Sequence, residues 1–289
     1  MDALCGVIAL GGASFSLEEG RDRSRDIATI RTAIEAGIAV VDSARAYAPV
    51  GDSDHNEKLF AEAIGHREDV LFGTKGGHYR GATAEAGWRT DNSPEQLRRD
   101  VERSLSNLGS DVLPLFYLHR ADHDTLHFDD ALAELDALRV AGKIARIGLS
   151  NVTLEQLRHA TESIRIDAVQ NRHSIHTSTE RGMLAECERL GIPFFAYSPL
   201  RPIHGANSGW TYPALSGIAN RDGVAVQSLL LRGILAQSPV MSIVSGASRT
   251  STVIASARVP RIAWTDELQQ AYLHDLKIIQ TTNRSENHA

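Results

Sequence analysis

Two cysteines in 289 residues, Cys5 and Cys187, are too few and too far apart for a zinc pattern or a secreted disulfide framework. Both are expected as free thiols. Positive charge is also short: 30 Lys and Arg against 36 Asp and Glu leave a net charge of -6 and a pI near 6.1. That balance excludes the electrostatic footprint of a nucleic-acid or anionic-membrane binder and leaves a small-molecule partner. The opening MDALCGVIALGGASF lacks a basic n-region, and its apolar run is too short for a signal peptide or a membrane span. A soluble, cytoplasmic protein is expected. No linker, charge block or low-complexity segment divides the chain before the polar stretch TTNRSENHA, so residues 1–280 read as one domain and 281–289 as a tail. No G-x-G-x-x-G opens a helix after a strand, which argues against a doubly wound dinucleotide fold.

What is present is alternation. Hydrophobic residues make up 42% of the chain and charged residues 23%, enough apolar material for a sizeable core. Eight short apolar runs recur: CGVIAL, IAVVDS, VLFGTK, LPLFYLH, IARIGLS, DAVQNR, PFFAYSP and MSIVSG. Each is apolar at successive positions, as in strands covered on both faces. Amphipathic segments of helical length lie between most of them, which implies right-handed βαβ units and parallel strands. In SPEQLRRDVERSLSNLG, Leu97, Val101, Leu105 and Leu108 share one face. Ser93 with Gln96 reads as a capping box, Pro94 suits the first helical position, and Gly109 suits the end. Thr153 with Gln156 repeats the box, while Gly37, Gly142 and Gly191 each close a helical pattern before a strand. The expected fold is a single-domain (β/α)8 TIM barrel, whose chemistry belongs at the C-terminal ends of the strands.

Three ionisable residues end consecutive strands: Asp42 in IAVVD, Lys75 in VLFGTK and His119 in LPLFYLH, with Tyr47 shortly after Asp42. Singly, each has an ordinary structural use as a turn cap or a satisfied histidine. Together they make a coherent proton-transfer set. A tyrosine of pKa about 10 is a poor acid or base at neutral pH unless a cation stabilises its phenolate. Lys75 supplies that cation, and a buried ammonium in turn needs a carboxylate to hold its proton, which Asp42 supplies.

With these motifs the chain resembles the aldo-keto reductases along nearly its whole length. The segment DSARAY, the pair Thr74-Lys75, the strand end YLH, and GKIARIGLSN, VQNRHS and FFAYSPL all occur in the family's order. The resemblance implies a catalytic tetrad of Asp42, Tyr47, Lys75 and His119 in an NAD(P)H-dependent enzyme that reversibly reduces an aldehyde or ketone, with Tyr47 as general acid. It implies that Ser150, Asn151 and Gln170 meet the nicotinamide carboxamide and that Tyr197 stacks on the ring. Ser198 and Leu200 would follow the pyrophosphate, and the segment of Ser248 and Arg249 the adenosine end. NADP(H) is implied ahead of NAD(H), although Thr252 and Ser256 stand where longer polar residues are expected. Ala48-Pro49 replaces the glycine that commonly follows the tyrosine. The loops GGHYRGATAEAGW and RPIHGANSGWTY offer His78, Tyr79, Trp88, Trp210 and Tyr212 as walls of a carbonyl pocket.

Two other readings start from the same chain. HRADHDTLH crowds histidines and aspartates as a metal-dependent barrel hydrolase would, but no His-x-His ends the first strand; no metal is expected. The same scaffold also serves as a cofactor-sensing regulatory subunit.

Overall fold

The computed structural model describes residues 2–18, 20–65, 67–81, 83, 86–200 and 211–286; of residues 279–286 it describes the backbone alone. Among the described residues there are ten strands: β1 (Ile8–Gly11), β2 (Val40–Asp42), β3 (Leu71–Gly76), β4 (His78–Arg80), β5 (Trp88–Thr90), β6 (Leu115–Leu118), β7 (Ile147–Ser150), β8 (Ala168–Arg172), β9 (Phe194–Tyr197) and β10 (Met241–Ser245). All but β4 and β5 close a parallel barrel in chain order, with β10 returning to β1. These are the eight apolar runs of the sequence. β4 and β5 form a separate antiparallel hairpin immediately after β3.

Strand periodicity sorts the apolar residues into two cores. In β6, Phe116 and Leu118 face the helices while Leu115 and Tyr117 face the lumen, and in β9 Phe194 and Phe195 divide the same way. The lumen is filled by Leu4, Ala9, Val40, Leu115, Tyr117, Ala168, Phe195 and Val244, so the barrel is a packed body rather than a pore. Tyr117 is its largest occupant and has room because glycine stands beside it. A Cβ on Gly148 would lie 2.2 Å from the Tyr117 ring.

The helix Pro94–Leu108 buries Leu97 and Val101 fully, with Leu105 and Leu108 packed against the core, and closes on Gly109 in the left-handed region. Its expected capping box does not form. Ser93 makes no side-chain cap bond; Gln96 turns instead to Asp100, donating to Oδ1 at 3.1 Å. A buried carboxylate outcompetes the half-buried cap for that amide. The Thr153–Gln156 box is present in full, and Gly37, Gly142 and Gly191 take positive φ after their helices. The last helix, Asp266–Glu286, runs past residue 280, where the sequence places the start of a tail. Among the described residues no helix is long and apolar enough to cross a membrane, and Cys5 and Cys187 are free thiols.

Replacing Gly148 with alanine should force Tyr117 out of place. Overpacking of this kind costs about 1–3 kcal/mol, and thermal denaturation of Gly148→Ala should show a lowered Tm; an unchanged Tm would contradict the packing.

Candidate active site

β2, β3 and β6 deliver their end residues to one side of the barrel mouth. Lys75 is inside the protein, at 0% side-chain exposure, and each of its three N–H donors has an oxygen to meet. Nζ lies 2.7 Å from Asp42 Oδ2, 2.8 Å from the Ser43 carbonyl and 3.3 Å from the Tyr47 hydroxyl. The ammonium also sits over the Tyr47 ring, 4.7 Å from its centroid. Asp42 Oδ1 accepts from Gln170 Nε2 at 2.7 Å, so the carboxylate is tied on both oxygens. Burial pulls the Lys75 pKa down, while the charge and hydrogen bond of Asp42 push it back up. Burial lifts Tyr47 well above the usual tyrosine range, with Asp42 and Tyr197 adding to the effect. Tyr47 therefore keeps its proton at neutral pH.

His119 stands across from Tyr47, with ring centroids 5.7 Å apart and planes at 88°. Burial drives its pKa well below 6.5, and the cationic Lys75 deepens the shift, so the imidazole is neutral. Its Nδ1 is buried and has no hydrogen-bond partner among the described residues. His78 of β4 approaches His119 edge-on at 5.2 Å and stacks on Trp88 of β5 at 5.3 Å. Both pocket candidates thus stand at the mouth. Tyr79 does not: the pleat of β4 turns it to the opposite face, where its hydroxyl donates to the Asp91 carbonyl at 3.0 Å. Tyr212 is likewise withdrawn, buried in the helical layer near Asp275 and Tyr272. Trp210 lies outside the described residues.

The residues expected along a cofactor fall on the ends of β7 to β10. Ser150 is buried at the end of β7, opposite Gln170 in register. Asn151 donates from Nδ2 to the His119 carbonyl at 2.9 Å and to Ser150 Oγ at 3.2 Å, and its Oδ1 accepts from the Tyr197 hydroxyl at 2.6 Å. These side-chain amides are engaged with the protein itself, Gln170 with Asp42 above all. Among the described residues the non-glycine positions at positive φ are Asn151 (54°) and Ser198 (53°), both on the expected list. Such backbone outliers concentrate at ligand sites. Leu200 packs partly against the core. Ser248 and Arg249 precede the helix Thr250–Arg258, with Arg249 exposed and the Ser248 carbonyl accepting from Arg21 at 3.3 Å.

Sequence reasoning passed over Arg45, Ser43 and Tyr117. Arg45 and Ser43 sit inside DSARAY, and Tyr117 is two residues before His119 on the same strand face; strand periodicity was the available signal for the last. The residues of HRADHDTLH pair among themselves, Arg120 with Asp122 and His127 with Asp124, and among the described residues no group of three metal-binding side chains converges.

A family model described as the aldo/keto reductase family matches residues 7–271. An uncharacterized oxidoreductase of Schizosaccharomyces pombe is 28% identical over 251 residues, 87% of this chain and 79% of that protein. An aldo-keto reductase of Gibberella moniliformis is 34% identical over 196 residues, 65% of this chain and 56% of that protein. Among solved structures, glycerol dehydrogenase from Gluconobacter oxydans matches with a TM-score of 0.78 at 24% identity, covering 93% of this chain and 90% of its own. An aldo-keto reductase from Klebsiella pneumoniae in complex with NADPH gives 0.74 at 24%, covering 92% and 89%. At that identity the two structures bear on the fold, which they share.

Two outcomes follow for the unliganded protein. Lys75→Met leaves the Asp42 carboxylate buried without its cation, a change that costs about 3–5 kcal/mol in comparable pairs; urea unfolding should show it, and Asp42→Asn in the same chain should restore part. The two mouth histidines also make stability depend on pH. Burial holds His78 at about 4 and His119 well below 6.5, so below that pH the unfolded chain binds more protons than the folded one. Stability should therefore fall as pH drops through 6.5, and less steeply in His119→Gln; equal slopes would contradict the assignment.

Proposed function

The chain belongs to the aldo/keto reductase family, and on that premise we propose that it reduces an aldehyde or ketone to an alcohol, with Tyr47 as proton donor. The observation that carries this reading is the hydrogen bonding of Lys75. With three acceptors around the ammonium, Tyr47 takes the position of an acceptor and keeps its own hydrogen free. A bound nicotinamide cofactor supplies the hydride to the carbonyl carbon.

The protein's own part is to place the carbonyl oxygen and deliver a proton to it. Negative charge grows on that oxygen during reduction, and a pre-placed donor stabilises it without reorganising. Neutral His119 has one N–H to offer for this purpose, and among the described residues no hydrogen bond occupies its Nδ1. Tyr47 then transfers its proton and is left as a phenolate beside Lys75, 3.3 Å away. The high resting pKa of Tyr47 keeps the proton loaded, and the adjacent ammonium lowers the energy of the phenolate that transfer creates. Run backwards, the same groups serve alcohol oxidation.

For the cofactor, Tyr197 would offer its half-buried ring to the nicotinamide, and Ser150, Asn151 and Gln170 their polar groups. Ser198 and Leu200 would follow the pyrophosphate, and Ser248 with Arg249 the adenosine end. The left-handed backbones of Asn151 and Ser198 suit such a surface, since nothing in the local sequence demands them. NADP(H) is read ahead of NAD(H) on the exposed Arg249 and on relatives described with NADP or NADPH. His78 and Trp88 would wall the pocket for the carbonyl compound.

Titration with NADPH and then NADH, followed by tryptophan fluorescence, tests cofactor binding; binding of neither would sink the reading. Tight NADPH binding without turnover on any carbonyl of a broad panel would instead favour a regulatory subunit. In Tyr47→Phe, kcat should fall by ~10²–10⁴-fold, the range for a positioned acid, with NADPH affinity unchanged.

A further inference from the structure

Arg45 lies between Asp42 and Tyr47 in DSARAY, and its side chain is almost wholly enclosed, at 11% exposure. Its Nε donates to Asp100 Oδ1 at 3.1 Å, and its Nη1 reaches Asp54 Oδ1 at 3.4 Å and Glu57 Oε2 at 3.6 Å. Each carboxylate is itself fixed. Asp100 Oδ2 accepts from the Gly77 amide at 2.8 Å, Glu57 Oε1 accepts from Thr74 and Ser104 at 2.6 Å each, and Asp54 is held by Arg103 and Asn107. Three buried acids around one guanidinium, on two helices and a loop, form a socket rather than a surface pair.

The socket opens onto the tyrosine loop. The Arg45 amide donates to the Lys75 carbonyl at 3.1 Å, and one residue later the chain turns, the Tyr47 amide donating to the Ala44 carbonyl at 3.0 Å and that of Ala48 to the Ala46 carbonyl at 3.0 Å. Tyr47 is thus held at its tip by Lys75 Nζ and at its root by Arg45. Both holds end on β3 or the residue that follows it: the first on the Lys75 side chain, the second on the Lys75 carbonyl and, through Asp100, on Gly77 just past the strand. A guanidinium suits this place because its planar fork meets several carboxylates in fixed directions, which an ammonium on a flexible stem does not.

We infer that Arg45 is a positioning residue for Tyr47, setting the reach of its hydroxyl into the mouth through the buried Asp54, Glu57 and Asp100 socket. This rests on the reading of Tyr47 as proton donor. Misplacement of a reacting group by about 1 Å costs up to about 100-fold in rate, so loosening the loop should lower kcat and leave cofactor binding alone.

The test uses Arg45→Met and Arg45→Lys, with Asp100→Asn removing one wall of the socket should Arg45→Met fail to fold. Hydrogen exchange at the amides of Arg45, Tyr47 and Ala48 reads the clamp without any turnover. Faster exchange there, together with kcat lowered about 10- to 100-fold, an unchanged NADPH dissociation constant and partial recovery in Arg45→Lys, is the expected result. A merely structural arginine would lower Tm without separating kcat from NADPH affinity, and that result overturns the inference. Unchanged exchange overturns it whatever the activity. Faster exchange with unchanged kcat overturns it as well, and a fully active Tyr47→Phe in the same assay would place that failure in the reading of Tyr47 rather than in the clamp.

Discussion

A fully buried ammonium constrains this molecule more than any other single group. Lys75 has no water to solvate it, and an isolated charge in such a place is tolerated only with matched partners. Those partners dictate much of the architecture around it. β2 must end on a carboxylate, the loop after it must fold back so that the Ser43 carbonyl and the Tyr47 hydroxyl reach Nζ, and β8 must bring Gln170 across to the second oxygen of Asp42. Beneath the ammonium the barrel must still be packed, and Tyr117 fills that space against Gly73 and Gly148. The polar mouth and the apolar lumen are therefore one construction. Removing the lysine would disturb both.

The same charge sets the protonation of its neighbours. It stands among the causes that hold His119 neutral, and a neutral imidazole can donate one hydrogen bond without bringing a second cation into the mouth. Burial first, and then the charge of Asp42, outweigh the cation at Tyr47, which is why its pKa rises instead of falling. Lys75 favours the phenolate over the hydroxyl and so acts against that rise without overcoming it.

Most of the barrel was legible because strands covered on both faces leave continuous apolar runs, and because Asp42, Lys75 and His119 interrupt those runs at their ends. Contacts across the lumen were not legible. Gln170 meets Asp42 over a separation of 128 residues, and no local pattern says which oxygen an amide at a strand end will serve. Tyr79 was misplaced for a related reason: GGHYRGATAEAGW reads as loop, but part of it pairs as β4 and β5, and a two-residue period turns Tyr79 away from His78. The lost capping box at Ser93 shows competition of the same kind, Gln96 being drawn to a buried carboxylate that sequence alone does not place. Arg45 was hidden because its partners Asp54, Glu57 and Asp100 lie on other elements, which no local pattern around DSARAY places beside it.

The backbone at Asn151 and Ser198 shows how the two halves of the mouth are joined. Left-handed conformations in non-glycine residues cost of order 1–3 kcal/mol each and persist where their surroundings over-determine them. Here the surroundings are each other and the rim of the mouth. Tyr197, immediately before Ser198, donates its hydroxyl to Asn151, and Asn151 donates to the carbonyl of His119. The chain of contacts runs from the end of β9 through the end of β7 to the end of β6, fixing the Tyr197 ring relative to the histidine that faces Tyr47. An exposed asparagine free of these bonds would relax toward an ordinary turn, so the strain is maintained by the site and not by the strands that flank it. On the proposed function, that linkage couples the surface that would hold a nicotinamide ring to the donors that would meet the carbonyl oxygen. On that reading the protein registers the reacting partners to one another before either arrives.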